Sequence, residues 1–285
     1  MDWVESIHRA IRYMEDHLRE ELTIRDIAQQ AALSPFYFQK GFAMLCGMTV
    51  GDYIRQRRLS VAGLEILTTD RKIIDIALEA GYDSPDSFTR AFTRFHGVTP
   101  TALRKSGGAV RSFAPLKIKV TLEGGQDMDC KIMKKEAFTV LCRAKTFKYE
   151  DAAVQVPQFW AEHFRTGGGA AVCGMYGINL DESMGGSEFE YLIADNYDPA
   201  NEIPDGFTTR TIPAHTWAVF SCTGKMPQAL QELNQQIFSQ WLPTNNDYKI
   251  AAGINVELYS DASKFEQGTQ DQNYYFEAWI PVERK

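Results

Sequence analysis

The amino-acid sequence predicts a multidomain chain: an all-α double helix-turn-helix domain, then an α+β domain in which a strand–helix–strand–strand unit is used twice. Three observations lead there. A set of residues in the first hundred positions recurs at an offset of 49 to 50. After Ser106 the hydrophobic period changes from helical to strand-like. The net charge of −7 is also unevenly placed. Residues 1–106 hold 14 Lys+Arg and 14 Asp+Glu, which leaves 16 and 23 beyond them, so all the net negative charge falls in the C-terminal part.

The repeat is read residue by residue. Asp26, Ile27, Ala28 and Ala31 recur as Asp75, Ile76, Ala77 and Ala80. After one inserted residue, Ser34, Pro35, Phe38, Phe42, Gly47 and Thr49 recur as Ser84, Pro85, Phe88, Phe92, Gly97 and Thr99. Each copy has the form of a helix, a turn and a second helix. Thr23 caps the first helix of copy one. Ser34 and Ser84 cap the second helices, with proline at the first helical position, where its missing N–H costs nothing. Phe38, Phe42 and Leu45, like Phe88, Phe92 and Phe95, fall on one helical stripe and face a core.

The opposite faces then present Phe36, Gln39 and Lys40 in copy one, and Asp86, Ser87, Thr89 and Arg90 in copy two. Most of these are side chains suited to base edges and phosphates in a major groove, and Phe36 suits a thymine methyl. Residues 50–67 read as one long helix carrying Arg55, Arg57 and Arg58, with Arg57 placed to meet phosphate. That helix would set the two units on successive major-groove segments, roughly 34 Å apart, within a single chain. The first helix is expected over residues 3–18.

Domain bounds follow: 1–106 for the DNA-binding half, 107–127 for a linker starting at Gly107-Gly108, and 128–285 for the second domain. No run approaches the roughly 18 apolar residues of a membrane span. The five cysteines are dispersed without a CxxC, the pattern of free thiols in a reducing, cytoplasmic setting. His163 and His215 lack metal-ligand spacing, so neither a metal nor a cofactor is expected. Gly167-Gly168-Gly169 reads as a helix stop.

The residues DIA-x2-A, SP-x2-F-x3-F, G-x-T, YIRQRRL and IIDIALEAGY-x-SPDSFTRAFTRFHGVTP together resemble the AraC/XylS family of transcription regulators, over about residues 5–105. The resemblance implies seven helices, two recognition helices, double-stranded DNA as partner and activation through RNA polymerase. Pro85 and Asp86 stand where relatives often carry polar amides. Asp86 would repel phosphate but accept from a cytosine amino group.

In the C-terminal half, strands are expected at 137–147, 171–180, 189–197, 216–223, 254–260 and 274–282, with helices at 150–165 and 226–241. Alternation puts Glu257 and Tyr259 on one face of their strand, and Tyr275, Glu277 and Trp279 on one face of theirs. Two carboxylates among aromatic rings would suit an organic cation. Tyr176 and Trp217 are weaker candidates. The tail, INVELYS followed by YYFEAWIPVERK, is similar to GyrI-like effector-binding domains, and the domain order is Rob-like. That resemblance implies a hydrophobic or cationic small molecule as effector. Two alternatives stay open: a GyrI-like hydrolase using Glu257, Glu277 and Tyr259, or a protein-interaction module. No nucleophile triad is visible, and the chain is not expected to be an enzyme.

Overall fold

The structure, a computed structural model, describes residues 3–117, 128–149, 151–181 and 188–285. Its N-terminal half holds α1 (Trp3–Asp16), α2 (Ile24–Gln30), α3 (Pro35–Cys46), α4 (Val50–Thr68), α5 (Ile73–Glu79), α6 (Pro85–His96) and α7 (Pro100–Ser106). The capping residues act as their types dictate. Thr23, Ser34, Thr49, Ser84 and Thr99 each accept a backbone N–H from three residues on, worth about 1 kcal/mol apiece. Helices α3 and α6 end at Gly47 and Gly97, whose φ of 67° and 78° is left-handed and favours glycine. The repeated Gly-x-Thr is therefore a helix stop followed by the next helix start. Helix α1 stops two residues before the expected Leu18.

The two units differ in where their cores lead. The second has its own, built from Leu59, Ile66, Phe88, Phe92 and Leu103. The first shares one core with the C-terminal domain: Trp3, Tyr37 and Phe42 join Phe220, Phe238 and Phe276 in a single cluster.

Residues 107–117 do not behave as a free linker. They run along α4: the Phe113 N–H donates to Ser60 Oγ at 3.0 Å and the Leu116 N–H to the Tyr53 hydroxyl at 3.3 Å. Val110 joins the second core, while Phe113 and Leu116 join the first. Apolar side chains at 110, 113 and 116 outweigh the two glycines that open the segment. The rest of the expected linker, 118–127, lies outside the described residues.

The C-terminal half holds β1 (Cys130–Lys135), β2 (Phe138–Lys148), α8 (Ala152–Arg165), β3 (Tyr176–Leu180), β4 (Glu188–Asn196), β5 (Thr208–Ile212), β6 (His215–Thr223), α9 (Gln228–Gln236, continued by a π-helical turn over Ile237–Trp241), β7 (Tyr248–Ile250), β8 (Ile254–Tyr259) and β9 (Tyr275–Arg284). These strands form one antiparallel sheet ordered β1-β6-β9-β8-β3-β4-β2-β5, with β7 beside β9. The duplication is visible in that order. Units β2-α8-β3-β4 and β6-α9-β8-β9 meet as mirror sequences across the β8–β3 pair. Strands β1, β5 and β7 were not expected. Lysines dominate β1, threonines β5, and β7 has three residues, so none shows an apolar alternation.

The sheet has two unlike faces. One carries α8 and α9 and, between them, Gly177, Asn179, Tyr191, Asn255, Glu257 and Tyr259, as the pairings Gly177↔Glu257, Asn179↔Asn255 and Asn179↔Tyr191 require. The other curls on itself around Ile178, Trp217, Val256 and Trp279.

Candidate functional site

The central strands β8 and β3 place Glu257 at the middle of the helical face, beside Gly177. The glycine matters: a Cβ there would collide with the Tyr191 hydroxyl and lie 3.4 Å from Glu257 Oε2. Tyr259 donates its hydroxyl to Glu257 Oε2 at 2.6 Å, and Trp160 Nε1 donates to the Tyr191 hydroxyl at 3.0 Å. Burial, and then the Glu257 charge, raise the Tyr259 phenol well above its usual pKa, and both act on Tyr191 in the same order. Both phenols therefore stay protonated and serve as fixed donors. Asn179 Oδ1, buried in the same floor, has no hydrogen-bond partner among the described residues.

Above this floor lies a cleft of about 770 Å³, open to solvent. Its far wall belongs to the other domain. Phe36, Gln39 and Lys40 of α3 line it opposite Tyr149, Phe189 and Glu257. Phe36 packs 6.3 Å from the Tyr149 ring and 6.4 Å from the Phe189 ring. Beside it the Tyr37 hydroxyl donates to the Ile254 carbonyl at 2.6 Å, tying α3 to β8. Burial lowers the Lys40 pKa, and the Glu257 charge opposes that shift. The side chains read as the DNA-facing set of the first unit thus look into the second domain.

In the second unit the corresponding face is open. Asp86 and Arg90 are exposed, and Ser87 and Thr89 half-buried, on α6. The Ser87 hydroxyl donates to the Ser84 carbonyl at 2.8 Å, so it serves the helix start. Arg57 is placed otherwise than expected. Its guanidinium grips Glu15 at 2.7 Å and the Phe113 carbonyl, with its side chain 11% exposed. A carboxylate from α1 and an orphan carbonyl from the 107–117 segment outcompete solvent there. Arg55, paired with Asp52, is the exposed arginine of that cluster.

The second set of effector candidates does not join the first. Antiparallel pairing sets Leu258, not Glu257, opposite Glu277. Since paired residues share a face, the two carboxylates lie on opposite sides of the sheet. The Glu277 carboxylate accepts from the Tyr275 hydroxyl and from Trp279 Nε1, each at 2.5 Å. Trp279 packs 6.0 Å from Trp217 and 6.3 Å from Tyr176, both buried on that far face. A two-carboxylate floor is therefore not assembled, and neither is the hydrolytic set of Glu257, Glu277 and Tyr259. His163 is buried, with Nε2 2.8 Å from the Val172 carbonyl, a structural position.

Sequence reasoning missed Tyr149, Asn179, Phe189, Tyr191 and Asn255 as cleft residues. The alternation of Phe189 and Tyr191 with Glu188 and Glu190 carried the signal, but only pairing places them beside Glu257. Chemically, the floor offers one carboxylate, neutral phenols and an amide acceptor, with aromatic faces beside it, which suits a cationic, partly aromatic guest. Among the described residues no group of three His, Cys, Asp or Glu side chains is placed to hold a metal ion, and no helix is long and apolar enough to cross a membrane.

A family model described as integron-associated effector binding protein matches residues 131–282, and one described as helix-turn-helix domain matches residues 27–106. The chain is similar to regulatory protein SoxS of Escherichia coli (strain K12), with 40% identity over 98 residues, covering 34% of this chain and 92% of that protein. It is also similar to an uncharacterized HTH-type transcriptional regulator, YbfP of Bacillus subtilis (strain 168), at 38% identity over 104 residues. That match covers 36% of this chain and 35% of YbfP, so the chain spans about a third of that relative. Among solved structures, that of SAV2435 bound to tetraphenylphosphonium aligns over 55% of this chain and 94% of its own, with 21% identity and a TM-score of 0.48.

Proposed function

The chain belongs to the integron-associated effector binding proteins and carries the helix-turn-helix domain of AraC-type regulators, and on that premise we propose that it activates transcription in response to a cationic, aromatic small molecule held over Glu257. DNA is read by α6, through Arg90 and Asp86, and by α3, through Phe36, Gln39 and Lys40, on two adjacent major-groove segments. Contact with RNA polymerase and a cytoplasmic location belong to the same reading.

The observation that carries it is the position of the cleft. The carboxylate suited to a cation faces the helix suited to DNA, so whatever fills the space between them bears on both. Glu257, Tyr259, Tyr191 and Asn179 form the floor of the effector site. Tyr275, Glu277, Trp279, Tyr176 and Trp217 support the sheet from behind.

The test is calorimetric titration with benzyltrimethylammonium and with its uncharged carbon isostere neopentylbenzene. Glu257→Gln should cost the cation about 1–4 kcal/mol and the isostere much less, because only the cation has a Coulomb attraction to the carboxylate. Glu277→Gln should leave both unchanged. Equal losses for the two compounds in Glu257→Gln would overturn the cation reading.

A further inference from the structure

The cleft already holds a cation belonging to the chain. Lys40 reaches in from α3 and sets its Nζ 5.5 Å from the centre of the Phe36 ring and 5.7 Å from that of Phe238. Phe38 and Phe42 on α3 point the other way, into the core of the first unit, which leaves Lys40 on the cleft side. Phe238 comes from the π-helical turn after α9, in the other domain, and Glu257 lies across the same space. Two aromatic faces and one carboxylate around an ammonium are the surroundings an organic cation would seek.

We propose that Lys40 is the resident occupant of the effector cleft, and that a cationic aromatic small molecule binds by displacing it, which frees α3 from the effector domain. This rests on the reading that the Glu257 cleft takes cations. Two further observations agree with it. The burial that lowers the Lys40 pKa is opposed by the Glu257 charge, so ammonium and carboxylate attract each other across the cleft. The unpartnered Asn179 Oδ1 remains in the floor, an acceptor that Lys40 leaves unused. A small molecule that reaches both Glu257 and Asn179 gains a contact the lysine does not make.

The consequence is coupling. Lys40 cannot lie between Phe36 and Phe238 and also on a DNA phosphate. Cation in the cleft and DNA on α3 each require it to leave, so each favours the other, and by the same factor.

The test uses the full chain and benzyltrimethylammonium. Lys40→Met keeps the length of the side chain and removes the competing charge. It should tighten cation binding by about tenfold, within the usual range of coupling between sites. Lys148→Met is the control, since Lys148 is an exposed cation on the rim of the same cleft. If Lys40 acted only as a like charge, both variants would tighten binding alike, and the inference would be overturned. It would also be overturned if Lys40→Met left affinity unchanged or weakened it.

A second readout uses the wild type and does not depend on any variant folding. Acetylation of Lys40, followed by mass spectrometry, should speed up several-fold when benzyltrimethylammonium is added, as expected for a side chain released to solvent. Unchanged or slower acetylation would overturn the displacement. Glu257→Gln separates the two levels. If it abolishes cation binding while Lys40→Met has no effect, the cleft reading stands and the displacement fails. If it leaves cation binding intact, the cleft reading itself fails.

Discussion

Helices α3 and α6 descend from one repeated pattern and share a capping serine, a first-turn proline, two core phenylalanines and a C-terminal glycine. Their outer faces have parted. In α6 that face carries Asp86, Arg90 and Arg94, and it is exposed. In α3 it carries Phe36, Tyr37 and Ala43 with Lys40 as the one charge, and it is packed on a second domain. A helix apolar on both sides asks for two partners; α3 has its own unit on one side and the effector domain on the other. The difference teaches that one copy of the repeat keeps an open face while the other has become a joint.

The largest effect should come from breaking that joint. Phe238 and Phe92 are both fully buried, one between the domains and one inside the second unit. Truncating either to alanine should cost about 3–5 kcal/mol. Hydrogen exchange separates them: Phe238→Ala should unprotect α1–α3 and the α9 region, and Phe92→Ala only α4–α7. Loss of protection across the whole chain in both variants would erase the distinction.

Next comes the reading of DNA, after a binding site has been selected from random duplexes. Arg90→Ala should cost about 1–3 kcal/mol and relax the preference at particular base pairs, with or without effector. Gln39→Ala should cost as much only when a saturating cation is present, because without it α3 is docked. A loss from Gln39→Ala that ignores the cation would mean α3 is free at all times.

A smaller effect is expected at the tie between α3 and β8. Tyr37→Phe removes the hydrogen bond to the Ile254 carbonyl and should weaken the docking by about 1 kcal/mol. Urea titration monitored by exchange in α3 would measure it, with α6 as the internal reference.

The smallest effect belongs to the second unit and depends on pH. His96 Nδ1 accepts the Arg111 N–H at 3.1 Å while Nε2 donates to the Leu59 carbonyl at 2.9 Å, an arrangement only the neutral ring can satisfy. Burial lowers its pKa; the Leu59 carbonyl acts against that and Arg111 adds to it. The unfolded chain therefore takes up the proton first. The stability from this neutral ring is fully present above about pH 6.5 and is lost as pH falls through the lower folded value. Between about pH 7.5 and pH 5.5 the wild type should lose more Tm than His96→Gln does. Equal losses would show the ring is not held neutral.

Much of this was legible in the sequence wherever the signal is local. Caps, helix stops and the repeat need only neighbours in the chain, so α2 to α7 could be read directly. The faces of β8 and β9 were also legible one strand at a time. The pairing of Glu257 with Glu277 was not, because a shift of one residue in register moves every side chain to the other face. Only the sheet shows Leu258 opposite Glu277. Arg57 looked like a phosphate contact because nothing in the sequence places Glu15 beside it. The place Lys40 takes in the cleft was hidden for the same reason: its neighbours there, Phe238 and Glu257, lie about two hundred residues away. A hint was present in α3, where Phe36 and Tyr37 give apolar character to a face that a solvated recognition helix would keep polar.

That the joint lies between two parts of one polypeptide fixes how it responds to abundance. A separate inhibitor would let go on dilution and hold fast when plentiful, so its grip would follow copy number. Here sensor and reader meet at an effective concentration written into the chain, the same in a cell with ten molecules as in one with thousands. On the proposed reading, the threshold at which the cation acts is a property of the residues at the joint, open to tuning by single substitutions and indifferent to how strongly the gene is expressed.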